Sequence, residues 1–360
     1  MFYQKLIRPI LFLIDPEKIH NFTIWGLSFF SEYQFLNKLL KSKLNYTSPR
    51  LRQKLFGLKF KNPIGLSAGL DKNGKAINTW SAMGFAWAQI GSVTYSPQAG
   101  NKKPRMWRLP EDRGLVVNLG LCNQGASEIL KQLQKKKGLI SISIAKSNNV
   151  LLENAANDYE ASFKMLTDYA DIVTINLSCP NVKNFTGLQS KELLEPILNR
   201  IQNINIAKKP IWLKIGQDLS KNELDDIIYL VKKYNIDAII ACNLSKNREG
   251  LNLQSKNKDK PGGVSGYKLN KKVNKIIAYL YQNSDGRYRI IGTGGVFSGE
   301  DAYQKIKAGA NLIQLITGLI YNGPLAVNKI NKQLEYLLAQ DNFKHISEAV
   351  GIESGQYNYE

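Results

Sequence analysis

The stretch RIIGTGGVFSGEDAYQKIKAGANLIQLITG, residues 289–318, decides the fold. It opens on a short apolar run and breaks at Gly292, Gly294 and Gly295. A polar, helix-like stretch follows, and a second apolar run ends in Thr317-Gly318. Short apolar runs bounded by glycine suit strands buried on both faces, and a strand–helix–strand order suits a parallel sheet. The same alternation recurs toward the N-terminus. The candidate strands are residues 63–67, 86–93, 139–145, 171–177, 210–215, 237–242, 289–292 and 312–317. Eight such runs with helices between them predict an α/β fold, a closed (β/α)8 barrel. A doubly wound open sheet is the runner-up, but no G-x-G-x-x-G follows an early run.

Polar and glycine residues gather where each run ends, and barrel sites are built at the C-terminal ends of strands. The first run leads into Ala68-Gly69-Leu70-Asp71-Lys72, and the second ends in Gly91-Ser92-Val93-Thr94. The fourth ends in Asn176-Leu177-Ser178-Cys179-Pro180-Asn181. The fifth carries Lys214 and the sixth Asn243. Gly294-Gly295 with Thr317-Gly318 predicts a phosphate cradle, since small residues let backbone N–H groups approach phosphate oxygens. Gly262 to Gly266 can add to it. Turn glycines alone are the plain alternative. Lys72 and Lys214, at the ends of apolar walls, predict an anion or a shifted lysine; surface snorkelling is the plain alternative. Asn176, Asn181, Asn243 and Asn118 offer amide donors and acceptors suited to a flat heterocycle. Cys179 stands between asparagines at a strand end, a better place for a functional thiol than for inert packing.

Composition narrows the partners. Lysine plus arginine (49) exceeds aspartate plus glutamate (29), a net charge of +20, which points to an anionic ligand or surface. No nucleic-acid module or basic–aromatic stripe is present in the sequence, so a nucleic-acid partner is not expected. The three cysteines, Cys122, Cys179 and Cys242, are far apart and lack metal-ligand spacing, which argues against a disulfide framework or a metal site. At 360 residues the chain exceeds the roughly 250 of a typical barrel, leaving room for an N-terminal appendage.

That appendage begins MFYQKLIRPILFLIDPEKIHNFTIWGLSFF. Asp15 suits a helix N-cap and Pro16 the first turn, so two short helices with a tight break are expected. Neither apolar run approaches the roughly 20 residues of a membrane span. Residues 1–61 carry eleven basic and three acidic side chains. The helices either pack on the barrel or lie in a membrane interface, held by aromatics and lysines.

Several segments together resemble one family. These are Asp15-Pro16-Glu17 with His20, Lys61-Asn62-Pro63, Ala68 to Lys72, PQAGNKKPRMWR at 97–108, Asn176 to Asn181, Gly262 to Gly266, Gly292 to Gly295 and the closing ISEAVG at 346–351. The chain resembles, over nearly its whole length, the membrane-associated, quinone-dependent (class 2) dihydroorotate dehydrogenases. The resemblance implies FMN held by Ala68, Gly69, Lys72, Ser92, Asn176, Lys214, Gly266, Gly295 and Thr317. It implies dihydroorotate held by Lys72, Asn176, Asn181 and Asn243, and orotate as product in de novo pyrimidine synthesis. Cys179 would be the catalytic base, and Lys214 would stabilise the reduced flavin. Residues 1–45 would form a membrane-associating hairpin, 46–340 the FMN-binding barrel and 341–360 a tail. His20 and Arg108 would face the quinone, ubiquinone or menaquinone. The protein would sit peripherally on the cytoplasmic side of the inner membrane, against an anionic lipid surface.

The sequence departs from the family pattern at several positions. Cys179 stands where quinone-dependent members usually carry serine, and cysteine there is the habit of the soluble class. Val117 and Asn118 replace an asparagine and an arginine, Leu244 a threonine, Ser143 an asparagine and Ile316 a tyrosine. These changes leave a second reading open: a divergent flavoenzyme acting on another dihydropyrimidine-like ring, or a catalytically impaired FMN-binding homologue.

Overall fold

The computed structural model describes residues 2–178, 181 and 187–359. A π-helical turn, Tyr3–Ile7, runs into α1 (Arg8–Leu13), followed by α2 (Pro16–Glu32) and α3 (Gln34–Leu44). The break between α1 and α2 is the expected one. The Asp15 carboxylate accepts from the Lys18 N–H at 2.9 Å, and Pro16 fills the first turn. The third helix was not anticipated.

The strands, in chain order, are β1 (Gln53–Leu55), β2 (Leu58–Phe60), β3 (Ile64–Leu66), β4 (Trp87–Val93), β5 (Met106–Leu109), β6 (Gly114–Val117), β7 (Ile140–Ile144), β8 (Ile172–Asn176), β9 (Ile211–Lys214), β10 (Ala238–Ala241), β11 (Gly263–Gly266), β12 (Arg289–Thr293) and β13 (Leu312–Leu315). Eight of them close a barrel in the order β3-β4-β7-β8-β9-β10-β12-β13, every pair parallel. They fall within a residue or so of the eight runs read from the sequence. The open-sheet alternative is thereby excluded.

Strand alternation explains how the interior fills. β7 reads Ile-Ser-Ile-Ser-Ile, wholly buried. Its isoleucines join the main core, while Ser141 turns inward to a polar layer with Gln89 and Thr174. Gln89 Nε2 donates to Thr174 Oγ1 at 2.7 Å, and the two hydroxyls lie 3.0 Å apart. Below that layer, Trp87 and Trp212 meet edge to face at 5.9 Å. The antiparallel hairpin β1-β2 adds Phe60 against Trp87 and Phe56 against Trp212, closing the floor. Gly65 is required there, because a Cβ would lie 2.2 Å from the Trp87 ring.

The opposite, C-terminal end stays open beneath two additions. One is the antiparallel sheet β5-β6-β11. The other is α1–α2, held by polar contacts with side chains of the barrel segment. Arg105 grips the Glu17 carboxylate with two nitrogens, the closer contact being 2.8 Å. Arg108 donates to the terminal carbonyls of α1, Ile14 O at 2.6 Å and Phe12 O at 3.1 Å. The outer faces carry Phe2, Leu6, Ile10, Leu13, Phe22, Trp25, Phe29 and Phe35, each more than half exposed.

Candidate active site

The open end holds a cavity of about 510 Å³, within the range of small-molecule sites. Seven barrel strands deliver residues to its wall. β3 leads into Ser67, Ala68, Gly69 and Lys72, and β4 gives Gly91 and Ser92. β8, β9 and β10 end in Asn176, Lys214 and the Cys242–Asn243 pair, β12 in Thr293 to Gly295, and β13 in Ile316–Thr317. Asn181 and Gly266 complete it, and His20 and Arg108 line the side nearest α1 and α2. Every described residue that the resemblance assigns to cofactor, substrate or quinone therefore lines this cavity. Cys179 falls outside the described residues.

The inner end of the cavity rests on hydrogen-bonded polar side chains. Asn176 Nδ2 donates to Ser92 Oγ at 2.8 Å, and Ser92 Oγ lies 2.8 Å from Ser143 Oγ. Ser143, read from the sequence as a departure from the family pattern, is thus part of this polar layer. Buried Tyr159 donates to the Asn176 carbonyl at 2.6 Å. The Lys214 ammonium donates to Ser67 Oγ at 3.2 Å. Asn243 Nδ2 donates to the Ser178 carbonyl and, at 3.1 Å, to its hydroxyl. Asn181 Nδ2 donates to the Val117 carbonyl at 2.8 Å, while its buried Oδ1 has no partner among the described residues. A buried acceptor left open costs about 1–3 kcal/mol, so it suits a ligand N–H.

The far end is built of backbone. Gly295 has φ +72°, and a Cβ there would lie 2.7 Å from Asn270. Asn270 Nδ2 donates to the Gly295 carbonyl at 2.9 Å, and Asn274 Nδ2 to Asn270 Oδ1 at 3.2 Å. Lys305, wholly buried, donates to Asn274 Oδ1 at 2.8 Å; burial pushes its ammonium down to about 7. Thr317 Oγ1 sits 3.0 Å from Ser265 Oγ across the same space.

Between the helices and the floor, Lys72 Nζ lies 2.8 Å from His20 Nε2. Burial lowers the Lys72 ammonium. Burial, with Lys72 beside it, pushes the His20 imidazolium down to about 3, so His20 is neutral near pH 7 and accepts from Lys72. Leu11, Ile19 and Leu27 make the outer mouth apolar.

Of the departures, Val117, Leu244 and Ile316 line the cavity. Asn118 does not: its Oδ1 accepts from Asn101 Nδ2 at 2.9 Å, and the same Asn101 amide reaches the Asn181 carbonyl at 2.9 Å. Sequence reasoning missed Ser67, Tyr159, Asn101 and the Glu17–Arg105 clasp. Only a helical stripe through Ile19, Thr23 and Leu27 could have hinted at the mouth.

Comparison with known proteins agrees with this geometry. A sequence model of the family described as dihydroorotate dehydrogenase matches residues 50–338. A Nostoc punctiforme protein named dihydroorotate dehydrogenase (quinone) is 41% identical over 98% of both chains. A Christiangramia forsetii protein of the same name is 43% identical over 92% of this chain and 98% of its own. The ligand-free structure of the dihydroorotate dehydrogenase of Eimeria tenella superposes with a TM-score of 0.85 at 28% identity, covering 94% of this chain and 99% of that one. Its complex with ferulenol gives 0.84.

Proposed function

The chain belongs to the dihydroorotate dehydrogenase family, and on that premise we propose how its residues divide the work. It is an oxidoreductase of pyrimidine biosynthesis that oxidises dihydroorotate to orotate with a quinone as acceptor. The observation that carries the assignment of roles is one cavity, apolar where α1 and α2 cover it and polar at its inner end, lined by every described residue that the resemblance assigns to cofactor, substrate or quinone.

The residues fit FMN. Gly266, Gly295 and Thr317 offer main-chain and hydroxyl groups where side-chain bulk is excluded, as a phosphate needs. Ala68, Gly69, Ser92 and Asn176 give a flat, polar bed for a ring, and Lys72 and Lys214 add cations. Bound there, FMN would supply the two-electron redox chemistry that links dihydroorotate to the quinone. Lys214 places positive charge where the reacting ring gains electrons.

Asn176, Asn181, Asn243 and Lys72 hold the substrate by its amide edges and carboxylate. Val117 has lost a polar side chain, yet its carbonyl fixes the Asn181 amide and leaves Asn181 Oδ1 for the ligand. Cys179 takes the ring proton as a thiolate. His20 and Arg108 flank the quinone.

Among the described residues no helix is long and apolar enough to cross a membrane. The exposed apolar side chains of α1 and α2 instead lie in the interface. Each contributes roughly 1.5–3 kcal/mol when fully buried, and the exposed Lys5 and Lys18 meet anionic headgroups on the cytoplasmic face of the inner membrane. Ubiquinone or menaquinone reaches the cavity between these helices. Orotate formation with a short-chain quinone, compared with fumarate, tests the assignment. Turnover is expected with the quinone alone; turnover with fumarate alone would overturn it.

A further inference from the structure

A phosphate monoester carries close to two negative charges at neutral pH, its second pKa being about 6. At the end of the cavity assigned to that group, the described wall is Ser265, Gly266, Thr293 to Gly295 and Thr317, with no cation among them. The cationic side chains that line the cavity are engaged elsewhere. Lys72 meets His20, Lys214 donates to Ser67, and Arg108 donates to the last carbonyls of α1. A dianion set against neutral donors alone is costly to bury, so a countercharge is needed.

The chain holds one behind that wall. Lys305, on the helix Gly299–Ala308, is wholly buried, and its stem runs past Gly292 of β12, where a Cβ would lie 3.3 Å from Lys305 Cδ. Its ammonium donates to Asn274 Oδ1 at 2.8 Å and lies 3.4 Å from the Asn270 carbonyl. Asn274 Nδ2 donates to Asn270 Oδ1 at 3.2 Å, and Asn270 Nδ2 donates to the Gly295 carbonyl at 2.9 Å. All three hydrogen bonds point the same way, each amide accepting on the lysine side and donating on the other. A chain so aligned polarises and carries the field of the ammonium to the Gly295 peptide. That peptide is planar and trans, so holding its carbonyl on Asn270 turns the Val296 N–H the opposite way. Gly295 and Val296 both line the cavity, and neither N–H meets a described backbone carbonyl.

Two ionisable groups act on Lys305. Asp301, on its own helix, spends Oδ2 on the Phe297 and Ser298 N–H groups. Cys242, past the end of β10, is a neutral thiol that burial pushes up to about 12. The helix Asn270–Gln282 offers it amides and a carbonyl, and Tyr357 of the closing tail meets the relay at Asn274. Burial therefore dominates and leaves the ammonium poised at about 7.

We propose that Lys305 is a positioning residue and remote countercharge for the cofactor's phosphate, acting through Asn274 and Asn270 on the Gly295–Val296 backbone. FMN then binds best to the chain whose Lys305 is an ammonium, and the phosphate in turn holds that proton in place. This proposal rests on FMN as the cofactor. Without flavin the ammonium prevails below pH 7 and is lost above it, so binding FMN at pH 8.5 must recapture a proton. Affinity for FMN falls as pH rises, opposite in sign to the phosphate's own ionisation.

Flavin fluorescence released on dilution of the purified full-length holoenzyme gives the dissociation constant of FMN. The same chain reloaded with riboflavin gives that of the ring without its phosphate, and cancels the lysines that face the ring. From pH 6.5 to 8.5 the preference for FMN over riboflavin is expected to shrink roughly 5- to 30-fold. In Lys305→Met, apolar and of similar length, the preference is expected to start roughly 5- to 10-fold smaller and to stay flat with pH. A preference that does not change with pH in the unaltered chain would overturn the role, and this reading needs no variant. A preference that shrinks equally in Lys305→Met would overturn it too. Riboflavin bound as tightly as FMN at pH 6.5 would instead overturn FMN as the cofactor, and the relay with it.

Discussion

Asn181 shows how a residue's worth depends on what it leaves undone. Its amide nitrogen is spent on the Val117 carbonyl, while its buried Oδ1 has no partner among the described residues. Asn181→Ala is therefore expected to raise the KM for dihydroorotate about 10- to 100-fold, the equivalent of roughly 1–3 kcal/mol. Flavin content should stay the same, and steady-state kinetics beside the absorbance ratio of the purified protein checks both. His20 gives a pH signature. Its folded pKa of about 3 lies below the ordinary value of 6.5, so the unfolded chain binds more protons in that window. The stability tied to neutral His20 is thus full above pH 6.5 and is lost as pH falls toward 3. Urea midpoints measured from pH 7 to 4.5 should fall less steeply in His20→Gln than in the unaltered protein. Lysines and asparagines at the cavity were legible in the sequence because polar residues stand out at the ends of apolar runs. Glu17–Arg105 and Tyr159–Asn176 were not, since nothing in either segment points to its partner.

At the scale of elements, α2 divides its faces: Pro16, Ile19, Thr23 and Leu27 turn to the reaction chamber, and Phe22 and Phe29 to the outside. The sequence displayed the aromatics and the N-cap but not this division, because a hydrophobic stripe does not say what it will cover. The short strands of β1-β2 and of β5-β6-β11 were also illegible. Runs of three or four residues show no reliable period, and their pairing is set by the barrel they rest on. Phe22→Asp/Phe29→Asp alters only the outward face. Flotation with anionic liposomes should fall to the level of a chain lacking residues 1–40, while dihydroorotate still reduces the flavin. Undiminished flotation of the variant would place the membrane contact elsewhere.

At the scale of the molecule, the eight strands could be read because burial on both faces forces apolar runs, and polar residues collected at one end because only that end opens. The floor could not be read: Gly65 looks like any strand glycine until Trp87 is seen filling its place. Closure by aromatics below and polar strand ends above give the barrel one site, with α1 and α2 laid over its opening. Apolar replacements at Val117 and Leu244 narrow the polar surface without removing the amides of Asn176, Asn181 and Asn243. The central claim is that this mouth passes electrons from dihydroorotate through bound FMN to a quinone. Anaerobic addition of dihydroorotate to the purified, flavin-loaded protein tests it most directly. The visible flavin absorbance should bleach at once, and a quinone should restore it. A fully loaded protein that does not bleach would contradict the account.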